Sequence, residues 1–165
     1  MKKTIIILVS IIAGGIALDQ LTKILVLNFM ELGQSIKLIP NVLNLTYIQN
    51  RGAAFGMLSE HRWVFMIIST VAIVGIGIYL FGFCKERLMV KVGLATIISG
   101  GIGNMIDRTF YGFVVDMIDF CLFDFWVWIF NVADACVCVG AGIVVLGIIL
   151  DLIKETKKKK QNDDN

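Results

Sequence analysis

Apolar residues run through the chain in four long blocks, approximately 4–29, 63–83, 88–106 and 128–150, each separated by a shorter polar interval. At about 1.5 Å per residue, each block is long enough as a helix to cross about 30 Å of hydrocarbon. The second block carries no charge. The first carries Asp19 and Lys23, the third Lys91, and the fourth only Asp134. Between the first two blocks the period changes. Leu43, Leu45 and Tyr47 alternate with Asn44 and Thr46, the pattern of a half-buried strand. Residues 35–39 and 42–49 therefore read as two short strands around the turn pair Pro40-Asn41. The pattern predicts an all-α membrane protein of four transmembrane helices with a small external β element. A single integral-membrane domain covers 1–153, with external segments at 30–62 and 107–127 and a disordered basic tail over 154–165.

The opening MKKTIIILVSIIAGGIAL has the basic start and apolar core of a signal peptide. The apolar pattern resumes after Asp19-Gln-Leu-Thr-Lys23, however, so this block reads as an uncleaved first span. A composition of 58% hydrophobic and 17% charged residues, with a mean hydropathy of +0.85, excludes an ordinary soluble domain. Basic residues orient the spans. With both termini in the cytoplasm, Lys2, Lys3, Lys85, Arg87, Lys91, Lys154 and the run 157–160 lie inside or at that boundary, against Lys37, Arg51, Arg62 and Arg108 outside. Beside a span, the lysine run reads as an anchor to anionic membrane lipid, not to nucleic acid.

The chemistry gathers in 100–134, which holds Asp107, Asp116, Asp119, Asp124 and Asp134. Ionisable groups within or at the mouth of a span are costly and therefore functional candidates. Counted from the inner ends of their helices, Asp19 lies fourteen residues up from Ile5, Asn104 sixteen from Leu88 and Asp134 sixteen from Leu150. All three then stand about 21–24 Å above the same boundary, one polar level on three helices. Asp19 and Lys23, four apart with the acid first, can pair. Asn104 and Arg108 share one helix face, as do Asn131 and Asp134. Small residues at Gly93, Gly100 and Gly103, and at Ala133, Gly140 and Gly147, form stripes that permit close helix packing. His61 is the only histidine, and Cys84, Cys121, Cys136 and Cys138 form no metal or disulfide framework, so neither a metal nor a cofactor is implied.

A second acid must face Asp134 if two carboxylates are to share a proton and activate water. Asp107, beside Arg108 and within helical reach of Asn104, reads as an ion-paired structural group. Asp119 and Asp124 read as solvated loop acids, and Asp116 follows the apolar Phe113-Val114-Val115. The residues alone leave that choice open. They also leave open a transporter or proton relay, although no polar ladder continues towards the inner ends of the spans, and a non-enzymatic assembly factor.

Five stretches together carry a resemblance: Asp19-Gln-Leu-Thr-Lys23, Gln49-Asn50-Arg-Gly52-Ala-Ala-Phe-Gly56, Gly100-Gly-Ile-Gly-Asn104-Met-Ile-Asp107-Arg108, Val114-Val-Asp116 and Phe130-Asn131-Val-Ala133-Asp134. In order and spacing the chain resembles the bacterial membrane aspartyl proteases of the lipoprotein signal peptidase (signal peptidase II) family. The resemblance implies Asp116 and Asp134 as the catalytic pair. It implies Asn50, Gly52, Asn104, Arg108 and Asn131 as lining the site, and Asp19, Lys23, Asp107 and Ala133 as supporting it. It further implies a monomer in the bacterial cytoplasmic membrane, without a cofactor. Its substrate would be a lipid-modified prolipoprotein, cut before the diacylglyceryl cysteine near the outer face. Trp128 departs from the family pattern, which often has proline there.

Overall fold

The computed structural model describes residues 2–52, 62–122 and 126–163. Ala53–Gly56 of the second motif, His61 and Asp124 lie outside the described residues. Helix α1 spans Lys2–Phe29, and strands β1 (Ser35–Ile39) and β2 (Leu43–Asn50) follow. Next comes α2 (Arg62–Ile78), which ends in a π-helical stretch at Tyr79–Phe83. Helix α3 covers Leu88–Phe110, strands β3 (Val114–Leu122) and β4 (Trp126–Phe130) come next, and α4 runs over Val132–Asp163. Four helices are long and apolar enough to cross a membrane. Their exposed faces carry Ile6, Val9, Leu21, Ile67, Val71, Val139 and Val145, as lipid-facing surfaces do.

Helix α3 is the hub, packed against α1, α2 and α4. The small-residue stripes explain how α4 comes so close. A Cβ at Gly100 would collide with the Ala133 carbonyl oxygen, and one at Gly93 would lie 2.8 Å from the Gly140 oxygen. At the far end of these two helices, Arg87 pairs with Asp151.

The sheet is larger than the sequence pattern predicts. Its order is β1-β2-β3-β4, all antiparallel, so β3 comes from the segment expected to be a loop and β4 from the junction of that loop with the fourth apolar block. The fourth apolar block is correspondingly divided. Trp128 and Phe130 pair in β4 with Phe120 and Ile118, and the helix starts only at Val132. Hydropathy cannot distinguish the two, because a buried strand and a helix end are equally apolar. Trp128, where the family often has proline, thus sits in a regular strand. Helix α3 also continues past 106 to Phe110, and α4 continues through the lysine-rich segment to Asp163, where disorder was expected. Lys, Glu and Gln are good helix formers, so nothing in 154–163 stops a helix already running.

The alternation of β3 sets up the site. Val115 and Met117 join Val26 and Met30 of α1 and Tyr47 of β2 in a buried cluster. Asp116 is thereby turned to the other face, towards the start of α4.

Candidate functional site

Helix α4 begins with a reciprocal cap. Asn131 is its N-cap: the Asn131 Oδ1 accepts the Asp134 N–H at 2.9 Å, and the Asn131 N–H donates to Asp134 Oδ2 at 3.3 Å. This is the capping-box arrangement, with Asn and Asp in the two roles. It fixes Asp134 in the first turn, where the helix dipole favours negative charge. The second Asp134 oxygen, Oδ1, accepts the Asn104 Nδ2 from α3 at 2.8 Å.

Asp116 is enclosed, with 1% of its surface exposed. Its Oδ1 accepts Asn131 Nδ2 at 2.6 Å and its Oδ2 accepts Asn50 Nδ2 at 3.0 Å. Asn50, at the end of β2, is itself steadied by the Gly52 N–H donating to its Oδ1 at 3.1 Å. One residue, Asn131, therefore holds both carboxylates: Asp116 through its side-chain amide and Asp134 through its backbone N–H. Burial pushes the Asp116 carboxyl up to about 6. The Asp134 charge adds to this rise, while the Asn50 and Asn131 hydrogen bonds and the Lys23 charge oppose it.

Beneath this pair lies a second set of acids. Lys23 Nζ is 2.9 Å from Asp19 Oδ2, 2.9 Å from Asp107 Oδ2 and 3.0 Å from Asn104 Oδ1. Asp107 is thus ion-paired, as expected, but with Lys23 of α1 and not with its neighbour Arg108. The Asp107 side chain faces the bundle interior, and Arg108 lies one helical step further round. Arg108 instead reaches back to the Asn104 carbonyl at 3.4 Å, within electrostatic reach of Asp134, Asp116 and Asp107. The Asp19–Lys23 pair is fully buried and not a surface pair. A Cβ on Gly103 would meet Asp19 Oδ2 at 2.5 Å, so α3 needs glycine there to admit the carboxylate. Ala133 supplies its N–H to Asp19 Oδ1 at 2.9 Å.

Asp19, Lys23, Asn50, Asn104, Asp107, Arg108, Asp116, Asn131, Ala133 and Asp134 converge at the sheet end of the bundle, and Gly52 adjoins them through Asn50. The equal-depth reading of Asp19, Asn104 and Asp134 agrees with the hydrogen bonds that connect them. Asp119 does not join this group. It is buried in the sheet, contrary to the solvated loop expected, with Asn44 and Thr46 donating to its Oδ2 at 3.2 and 2.7 Å. One contributor went unassigned in the sequence. Gln20 Nε2 links Asp19 Oδ2, Asp107 Oδ1 and the Gly103 carbonyl at 3.0–3.2 Å, and a polar residue next to a buried acid was the available signal. Among the described residues, no group of three or more His, Cys, Asp or Glu is arranged to hold a metal.

Residues 11–150 match the family described as Signal peptidase (SPase) II. A lipoprotein signal peptidase of Brevibacillus brevis is 46% identical over 136 residues, covering 82% of this chain and 90% of that protein. One of Halalkalibacterium halodurans is 46% identical over 144 residues, covering 87% and 92%, and one of Clostridioides difficile is 43% identical over 134 residues, covering 81% and 88%. Two solved structures of bacterial membrane enzymes, obtained by the in meso method, superpose with TM-scores of 0.79 and 0.78. Their identities are 33% and 30%, and they cover 96% and 90% of this chain and 92% and 93% of theirs.

Proposed function

The chain belongs to the signal peptidase II family of proteases and is a multi-pass membrane protein, and we propose that it is an aspartyl endopeptidase in which Asp116 and Asp134 form the catalytic pair. It removes the signal peptide from diacylglyceryl-modified prolipoproteins by cutting before the modified cysteine. The observation that carries this reading is the hold of Asn131 on both carboxylates at once. Two acids so joined share one proton between them.

Burial and the neighbouring charge favour keeping that proton on Asp116, which leaves Asp134 to serve as the base. Asp134 then takes a proton from water as the water attacks the scissile carbonyl, and Asp116 gives its proton to the carbonyl oxygen, which makes the gem-diol. In collapse of the gem-diol, Asp116 takes back a proton from one hydroxyl while the proton gained by Asp134 passes to the leaving amine, which restores the pair. Arg108, beside the pair, steadies the negative charge of the site. Asn104 and Asn50 hold the carboxylates in orientation. Both termini are cytoplasmic on the distribution of basic residues, so the site lies near the outer face of the cytoplasmic membrane. A signal peptide and two acyl chains held in the bilayer would deliver the bond to that level.

The test is cleavage of a purified diacylglyceryl-modified preprotein by the purified protein in detergent, with the new N-terminus sequenced. A cut immediately before the lipid-bearing cysteine is expected. Intact substrate, or equal cleavage of the unlipidated preprotein, overturns the reading.

A further inference from the structure

We infer that Lys23 acts as a clamp that sets the spacing of Asp116 and Asp134, through two carboxylates that touch no substrate. The inference rests on the aspartyl-peptidase reading above and concerns how the pair is held. The Lys23 ammonium has three N–H donors, and three acceptors surround it: Asp19, Asp107 and Asn104. Each acceptor leads on to the catalytic pair. Asp19 Oδ1 accepts the N–H of Ala133, the residue before Asp134, at 2.9 Å. Asp107 Oδ2 accepts the N–H of Val115, the residue before Asp116, at 3.0 Å. Two supporting acids therefore grip the backbone at the same relative position beside the two catalytic acids, and one ammonium joins them.

The third arm governs orientation. The Asn104 Oδ1 accepts from both Lys23 and Asn131 Nδ2, at 3.0 and 3.1 Å, so its Nδ2 must turn outward to Asp134 Oδ1. Gln20 adds a neutral strut between Asp19 and Asp107. Elements distant in sequence meet at these bonds: α1 supplies the clamp, α3 one acid, and β3 and α4 the backbones that are held. Asp19, Lys23 and Asp107 are at most 1% exposed, so water does not compete for the bonds. A displacement of about 1 Å in a reacting group costs about 10²-fold in rate, so the clamp bears on turnover as well as on folding.

The test uses the full purified chain and the lipidated preprotein, with kcat, KM and the thermal midpoint measured for each variant. Asp107→Asn and Asp19→Asn keep the shape and an acceptor for the backbone N–H but lose the ionic bridge. Each should lower kcat about 10-fold or more with KM within twofold. The triple variant Asp19→Asn, Lys23→Met, Asp107→Asn carries no uncompensated buried charge. Its thermal midpoint should recover towards wild type while kcat stays about 10²-fold down. A merely structural cluster predicts the opposite, with kcat returning in step with the midpoint, and that result overturns the clamp. So does a kcat within twofold of wild type in folded Asp107→Asn, which decides the matter if the triple variant does not fold. Wild-type protein that fails to cleave at all removes the peptidase reading, whereas a cleaving wild type with fully active clamp variants removes only this one.

Discussion

Two pairs of carboxylates share the sheet end of the bundle and are held by opposite means. Asp19 and Asp107 are bridged by a buried ammonium, while Asp116 and Asp134 are held by the neutral amides of Asn50, Asn104 and Asn131. A cation between two buried acids ties them into an ionic bridge, and those bonds would have to break before either acid could serve a substrate. An amide satisfies an acid's hydrogen bonds without supplying a full charge. Burial pushes the Asp116 carboxyl up to about 6, and the amides only partly oppose it, leaving a range in which donating and accepting are both accessible. Burial alone therefore does not mark the working pair. The charge of the partners does.

The largest effect should come from the amide-held pair. Asp116→Asn and Asp134→Asn should each lower kcat by about 10³-fold or more, because an amide neither takes a proton from water nor shares one. Binding of lipidated substrate, measured separately, should persist. The double variant should be little worse than either single, as for groups that act as a unit. If either single variant cleaves at a near-normal rate, the distinction between the two pairs collapses.

Asn131 sharpens the comparison, because it joins the working acids and also caps α4. Asn131→Ala should remove the cap, at about 1 kcal/mol of stability, and lower kcat by about 10²-fold. Asn131→Ser keeps a capping oxygen but cannot reach Asp116 with an amide. It should restore the thermal midpoint without restoring kcat. Recovery of both would show that capping is all that Asn131 contributes.

A pH series separates the pairs by stability. The folded pKa of Asp116, about 6, lies above the ordinary 3.8, so the folded state binds this proton more tightly than the unfolded state does. Its stabilising effect is complete below about pH 4 and is lost as pH rises through 6, a change of about 3 kcal/mol. Asp116→Asn has no such proton. Measured against wild type, its stability should therefore improve by about that amount between pH 4 and pH 7. Asp107→Asn removes a partner from a buried ion pair and should be the less stable protein at neutral pH. A difference between wild type and Asp116→Asn that does not vary with pH would place the titration elsewhere.

The helices were legible in the sequence because a membrane span needs some twenty apolar residues, and polar groups at equal depth on α1, α3 and α4 indicated one site. Strands β3 and β4 were not. The segment from Val114 to Phe130 is apolar on both faces of β3 except for its acids, so neither a period of two nor a period of 3.6 stood out. That miss carried Asp119 with it, since an acid in an apparent loop reads as solvated. The Lys23–Asp107 bond was hidden for a different reason. Sequence spacing reveals partners on one helix, and this one crosses between helices.

The smallest expected effect is at Asp119, and it tests whether neutral donors suffice to make an acid catalytic. Like Asp116, Asp119 is buried and bound by uncharged groups, the Asn44 amide and the Thr46 hydroxyl. Unlike Asp116, it faces no second carboxylate across an asparagine among the described residues, and its buried Oδ1 has no hydrogen-bond partner among them. In Asp119→Asn, the amide oxygen can still accept from Asn44 and Thr46, while the Nδ2 takes the place of the partnerless oxygen. A buried charge is removed and no hydrogen bond is lost, so stability should hold within about 1 kcal/mol or rise. Cleavage should stay within twofold of wild type, because sharing a proton needs a second acid and none of the described acids is held with Asp119 as Asp134 is with Asp116. A tenfold loss of kcat with an unchanged thermal midpoint would bring Asp119 into the working site, and the pairing of Asp116 with Asp134 would no longer explain which of the amide-held acids react.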